Sequence, residues 1–150
     1  MFYEEYTMKK FAVLMLLILT IGAVFAQEEM LYPFEKFKTT IDKYQPEGYF
    51  MMSCENYETE FSAIYMKGFE GILTISFLSE ENIDFDETAE SFTLNKQKAY
   101  YIEEETDDGM FGSLIVEFPK YKMYCIIMEA PIVNEETKAR LISRFEQLKF

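Results

Sequence analysis

The sequence contains no histidine. That absence excludes Ser-His-Asp and Cys-His nucleophile arrangements, the usual imidazole zinc sites, and ordinary pH switching near neutrality. Cysteine is scarce: Cys54 and Cys125 are the only thiols. Basic residues are few, 14 against 27 acidic, for a net charge of −13. Such a surface repels phosphate backbones and anionic headgroups, which bind through clustered Lys and Arg, so no nucleic-acid partner is expected. Internal repeats and low-complexity tracts are absent as well. What the chain has in quantity is apolar side chains, 49% hydrophobic and 17% aromatic; a disordered acidic tail lacks the surface to offset chain entropy in this way.

Much of that apolar content sits in one uninterrupted run of sixteen residues, Phe11 to Ala26, preceded by Lys9 and Lys10 and followed by Gln27, Glu28 and Glu29. A membrane-spanning helix needs about 20 apolar residues. The order of basic start, apolar stretch and small residue at the break is that of a secretory signal peptide cleaved after Ala26. Glu4 and Glu5 fit a basic start badly, which points to Met8 as the true first residue. An uncleaved anchor is the alternative; no cysteine follows the break to take a lipid. Cleavage removes 26 of the 150 residues and leaves 124, a single domain at residues 27–150, and the net charge stays −13 because two lysines and two glutamates leave together. The expected location is therefore periplasmic or secreted, with no membrane span in the mature form.

In an oxidising compartment a disulfide forms and persists, which makes Cys54 and Cys125 a candidate pair. Closing that loop adds about 4 kcal/mol in the chain-entropy model. Two buried free thiols acting as small apolar residues are the alternative.

Phe34, Phe37, Ile41 and Tyr44 recur at helical spacing; Pro33 suits the first turn of such a helix, and Pro46 with Gly48 ends it. From Tyr49 the period becomes two, predicting strands at 49–55, 61–67 and 72–78, the last two joined as a hairpin through 68–71. A polar loop is expected at 79–90. Further strands follow at 91–94, 99–104, 113–118 and 122–129, with a turn at Asn95-Lys96-Gln97. Asn134 is the expected cap of a last helix with Glu135 and Glu136 in its first turn and a stripe of Leu141, Ile142, Phe145 and Leu148. This order predicts an α+β domain: a curved antiparallel sheet of six to seven strands, with an N-terminal and a C-terminal helix packed on one face.

Some strands are apolar on both sides. In 122–128, Met123, Cys125 and Ile127 alternate with Tyr124, Ile126 and Met128, and 49–52 and 99–102 behave alike. Two short helices cover one face of such a sheet. The other either closes on itself by curvature or stays open as a groove, with Met51, Tyr101, Tyr124, Ile126 and Met128 as its candidate lining. Two acidic clusters, Asp84-Phe85-Asp86-Glu87 and 103–109, offer oxygen ligands but lack the spacing of a calcium loop, and Asp108-Gly109 is a common turn dipeptide. No metal, cofactor or catalytic residue is expected; a glycosidase-like carboxylate pair is formally open, yet no spacing selects one.

The segments Pro46-Glu47-Gly48-Tyr49, Ala63-Ile64-Tyr65, Leu73-Thr74-Ile75, the stretch 95–101, Ser113-Leu114-Ile115-Val116-Glu117 and the closing helix 135–148 resemble small exported modules of unknown function. Those modules stand at the extracytoplasmic ends of some Gram-positive anti-sigma factors and in sporulation-related lipoproteins. The resemblance implies an α+β fold and no established enzymatic activity, and it supplies no catalytic residue. A cleavable leader in place of a membrane or lipid anchor is a departure that argues against a tethered role. The expected function is a non-enzymatic exported domain that binds a protein or cell-envelope component through its sheet. A carrier of a small hydrophobic ligand is the alternative, a carboxylate-based hydrolase a third reading, and the oligomeric state stays open.

Overall fold

The structure, a computed structural model, describes residues 32–57, 60–84, 89–131 and 133–150; the expected leader at 1–26 lies outside the described residues. Helix α1 (Phe34–Lys43) forms at the predicted place, with Phe37 and Ile41 buried. Pro33 caps it with extended backbone, and its carbonyl accepts from Lys36 and Phe37. Seven strands follow: β1 (Phe50–Tyr57), β2 (Glu60–Lys67), β3 (Gly71–Ser79), β4 (Ser91–Leu94), β5 (Gln97–Thr106), β6 (Gly109–Phe118) and β7 (Met123–Ala130). Helix α2 (Thr137–Leu148) ends the chain.

All strands join one antiparallel sheet in the order β1-β2-β3-β7-β6-β5-β4. Two meanders are thus built separately, and β7 enters last to join them. The connection after β3 takes the chain from mid-sheet to the far edge before β4 begins, beyond the reach of a tight turn. The fold is α+β, as expected from the sequence.

Both helices lie on the same face, α1 against β1 and β2 and α2 against β6 and β7. The alternate residues facing them, Ala63, Tyr65, Leu73, Ile75, Phe77, Leu114, Val116, Cys125 and Ile127, are at most 2% exposed. Rings fill the space between. Tyr32 stacks on Phe77 at 4.5 Å, Phe77 meets Phe118 and Phe150 edge-on at 5.0 Å each, and Phe150 stacks on Phe37 at 5.9 Å. Offset and edge-on arrangements are those that ring quadrupoles favour.

Two expectations change. Asn134 does not cap α2 directly: its Oδ1 accepts from the Glu136 N–H and its carbonyl from the Thr137 N–H, both at 3.0 Å, forming a turn before the helix. Glu135 and Glu136 therefore precede the first helical turn. Strand β5 runs two residues past the expected end at Glu104, to a two-residue turn at Asp107 and Asp108.

Candidate functional site

The face opposite the helices bears no helix among the described residues. Tyr124, Ile126 and Met128 stand on it, as the groove expectation required, and cross-strand pairing sets them beside Leu78, Ser76 and Thr74 on β3 and Glu117, Ile115 and Ser113 on β6. Its middle is closed by its own side chains. Ser62, Ser76, Ile115, Tyr100 and Ser113 are buried there, the Ser62 and Ser76 hydroxyls lie 3.0 Å apart, and the Tyr100 hydroxyl donates to Glu117 at 2.9 Å.

The other two groove candidates face the opposite way. Tyr101 pairs with Leu114, a helix-side position, and donates to Glu103 at 2.8 Å. Gly112 makes room for it: a Cβ there would fall 2.9 Å from the Tyr101 hydroxyl and 3.0 Å from Thr137. Met51 pairs with Tyr65, also helix-side, because an irregularity between Met51 and Ser53 shifts the alternation of β1. An extra residue in one strand flips which side its neighbours face, and periodicity alone did not locate it.

The exposed apolar surface gathers at β1 and its neighbours. Phe50, Met51, Met52 and Tyr57 are 45–55% exposed on β1, with Ile64 on β2 and Ile72 on β3 close to 40%. Phe69, at the tip of the β2–β3 hairpin, is fully exposed. As the first strand in the sheet order, β1 has one neighbour among the described residues, β2. The two sheet edges differ: β4 is four residues long, whereas β1 has eight. Short or charged edge strands block unwanted pairing, and a long apolar one invites it.

A second feature is a cleft of about 830 Å³ between the 45–49 loop, the β2–β3 hairpin, the end of β7 and α2. At its inner wall Glu129, 4% exposed, occupies the helix-side position of β7 that follows Met123, Cys125 and Ile127. Both arginines of the sequence reach it. Arg140 donates from Nε to one carboxylate oxygen at 2.8 Å, and Arg144 to the other at 2.7 Å. Arg144 also donates to the Tyr44 hydroxyl at 3.1 Å and sits over the Tyr49 ring at 5.3 Å. Burial alone would lower its pKa, but Tyr44 and Glu129 outweigh burial and hold the guanidinium above its ordinary value, so it stays charged. Burial, then the nearby Glu129, raises the Tyr49 hydroxyl. The sequence carried a signal for this cluster: an acid at an inward strand position, and arginines four apart on one helix.

Cys54 and Cys125 are free thiols. Both face the helices, but β2 and β3 lie between their strands, and three strand spacings are roughly 14 Å, twice the widest Cα separation a disulfide spans. The candidate pairing is therefore corrected in favour of free thiols. Burial raises the pKa of both, most at Cys125, which is fully enclosed. Asp84 is exposed and 85–88 lie outside the described residues; among the described residues no group of three or more His, Cys, Asp or Glu is placed to hold a metal. No helix among them is long and apolar enough to cross a membrane.

The fold and these two features define an α+β sheet domain that has, among the described residues, a long edge strand without a second neighbour and a polar cleft. No protein-family model matches the sequence, and no curated protein matches it significantly.

Proposed function

We propose that this chain is an exported, non-enzymatic binding domain that takes an extended segment of a protein partner along β1, adding it to the sheet as an eighth strand. The observation behind this reading is the exposed apolar edge, eight residues long, with Phe50, Met52 and Tyr57 each more than half exposed. Strand addition gains affinity from main-chain hydrogen bonds and specificity from alternate side-chain pockets. The partner segment is basic as well as apolar, because a net charge of −13 attracts cationic chains and repels a second copy of this one. Export follows from the leader, and the resemblance to exported modules without known catalysis agrees with a binding role. The carrier reading draws less support, since packed rings fill the layer between helices and sheet.

The test is peptide display against the purified protein, repeated with F50K and M52K. Enriched peptides that alternate apolar and basic residues, and whose binding falls about tenfold or more in both variants while circular dichroism stays unchanged, support the reading; the factor is what one lost anchor side chain of about 1.4 kcal/mol removes. Failure to enrich, equal binding by the variants, or a β1-dependent homodimer in analytical ultracentrifugation overturns it.

A further inference from the structure

The Glu129 cluster has the form of a structural clamp, yet its charges do not cancel. Two guanidinium groups meet one carboxylate, leaving one positive charge in excess at the inner wall of the cleft. Each arginine turns Nε and Nη2 toward Glu129, and Arg140 also donates from Nη2 to Thr137 at 3.2 Å. Nη1 of Arg140 has no partner among the described residues, and its side chain is 36% exposed. Lys67 also lines the cleft and lies along Gly48, its Cε 3.3 Å from where a Cβ there would stand. No carboxylate among the described residues pairs with it. Glu47 and Glu70 line the cleft too, exposed to water like Lys67 and screened alike, so the excess charge least screened is that of Arg140 and Arg144 over the buried Glu129.

We infer that this cleft binds an oxyanion-bearing ligand, a carboxylate or a phosphate, between Arg140 and Lys67. Glu129 is a positioning residue: it fixes both guanidinium planes and leaves Nη1 of the part-exposed Arg140 as the group available to a ligand. A held guanidinium loses little freedom on binding, so the remaining Nη1 of Arg140 supplies one charge-assisted contact to an oxyanion and the Lys67 ammonium the other. The cleft volume suits a small molecule. The site is separate from the β1 edge, so either can fail without the other.

With only two arginines, the protein presents two arginine Nε–H signals in a ¹⁵N-correlated NMR spectrum. Titration with sodium citrate and with sodium phosphate, each against sodium chloride at matched ionic strength, is expected to move the Arg140 Nε–H and the Gly48 and Gly71 amides saturably. Response to citrate, to phosphate or to both supports the site and tells the sources apart. In K67A, whose altered side chain is exposed, the apparent affinity should fall about tenfold, the worth of one charge-assisted hydrogen bond. Shifts that only follow ionic strength, or identical titrations in K67A, overturn the inference.

Discussion

Tyr32 shows how much one side chain decides here. It is 1% exposed, stacks on Phe77, and its hydroxyl has no hydrogen-bond partner among the described residues. Burial raises its pKa from 10.0 to about 12, with smaller contributions from Cys125 and Tyr121. The neutral form is the one the fold tolerates, so below pH 10 the group costs nothing on ionisation. Between pH 10 and about 12 the unfolded chain loses this proton while the folded one keeps it, and stability falls, by about 3 kcal/mol in full. Cys125, raised from 9.0 by burial, acts in the same direction from a lower pH. Urea denaturation at a series of pH values from 8 to 11 should therefore give midpoints that decline with pH, and Y32F should decline less steeply. Because the hydroxyl is unpaired, Y32F at pH 7 should match the parent or exceed it by about 1 kcal/mol. The thiols give a second residue-scale prediction. Alkylation without reductant should label Cys54 alone in the folded protein, slowly, and both cysteines in denaturant; a mass showing neither labelled in denaturant would restore the disulfide.

At the scale of elements, turns decide register. In the β4–β5 hairpin Asn95 and Lys96 both adopt positive φ, 50° and 68°, the two-residue geometry whose twist matches the flanking strands. The β5–β6 turn depends on Gly109, at φ 124°, where a Cβ would lie 2.9 Å from the Pro131 side chain and 3.2 Å from its carbonyl. That carbonyl accepts from the Met110 N–H at 3.1 Å, tying the turn to the end of β7. G109A should cost about 1–3 kcal/mol in thermal or urea denaturation, from strained backbone and displaced contact together. The helices and all seven strands were legible from spacing, because amphipathic period is a local property. The exact end of β5 was not: beyond the expected Glu104 the strand continues through Glu105 and Thr106, held there by pairing with Met110 and Gly109 of β6 across the turn. The cap of α2 was misplaced as well, since the buried Thr137 accepts from the Asn134 N–H through its hydroxyl at 3.0 Å and closes a turn there before the helix begins.

For the molecule as a whole, charge and edge act together. A net charge of −13 makes the folded state repel itself, so 0.5 M potassium chloride should raise the melting temperature at pH 7, while the same salt should weaken capture of a basic peptide at β1. Opposite responses in one sample series separate the two effects; matching ones would detach β1 from electrostatics. Of the five expected groove residues, Tyr124, Ile126 and Met128 share the face opposite the helices, whereas Met51 and Tyr101 stand on the helix side. Alternation predicts which residues share a face within one strand, but not where a bulge resets it, nor how neighbouring strands close over a face.

By itself the sequence determined the α+β class, the elements, the acid surface, and the exclusion of histidine chemistry, all of which depend on composition or on neighbours a few residues apart. Only the tertiary structure decided that β7 joins the two meanders, that β2 and β3 hold Cys54 and Cys125 apart, and that Arg140 and Arg144 converge on Glu129 beside Lys67. Those facts rest on strand order, which is set by the packing of segments distant in the chain and leaves no local periodicity to read.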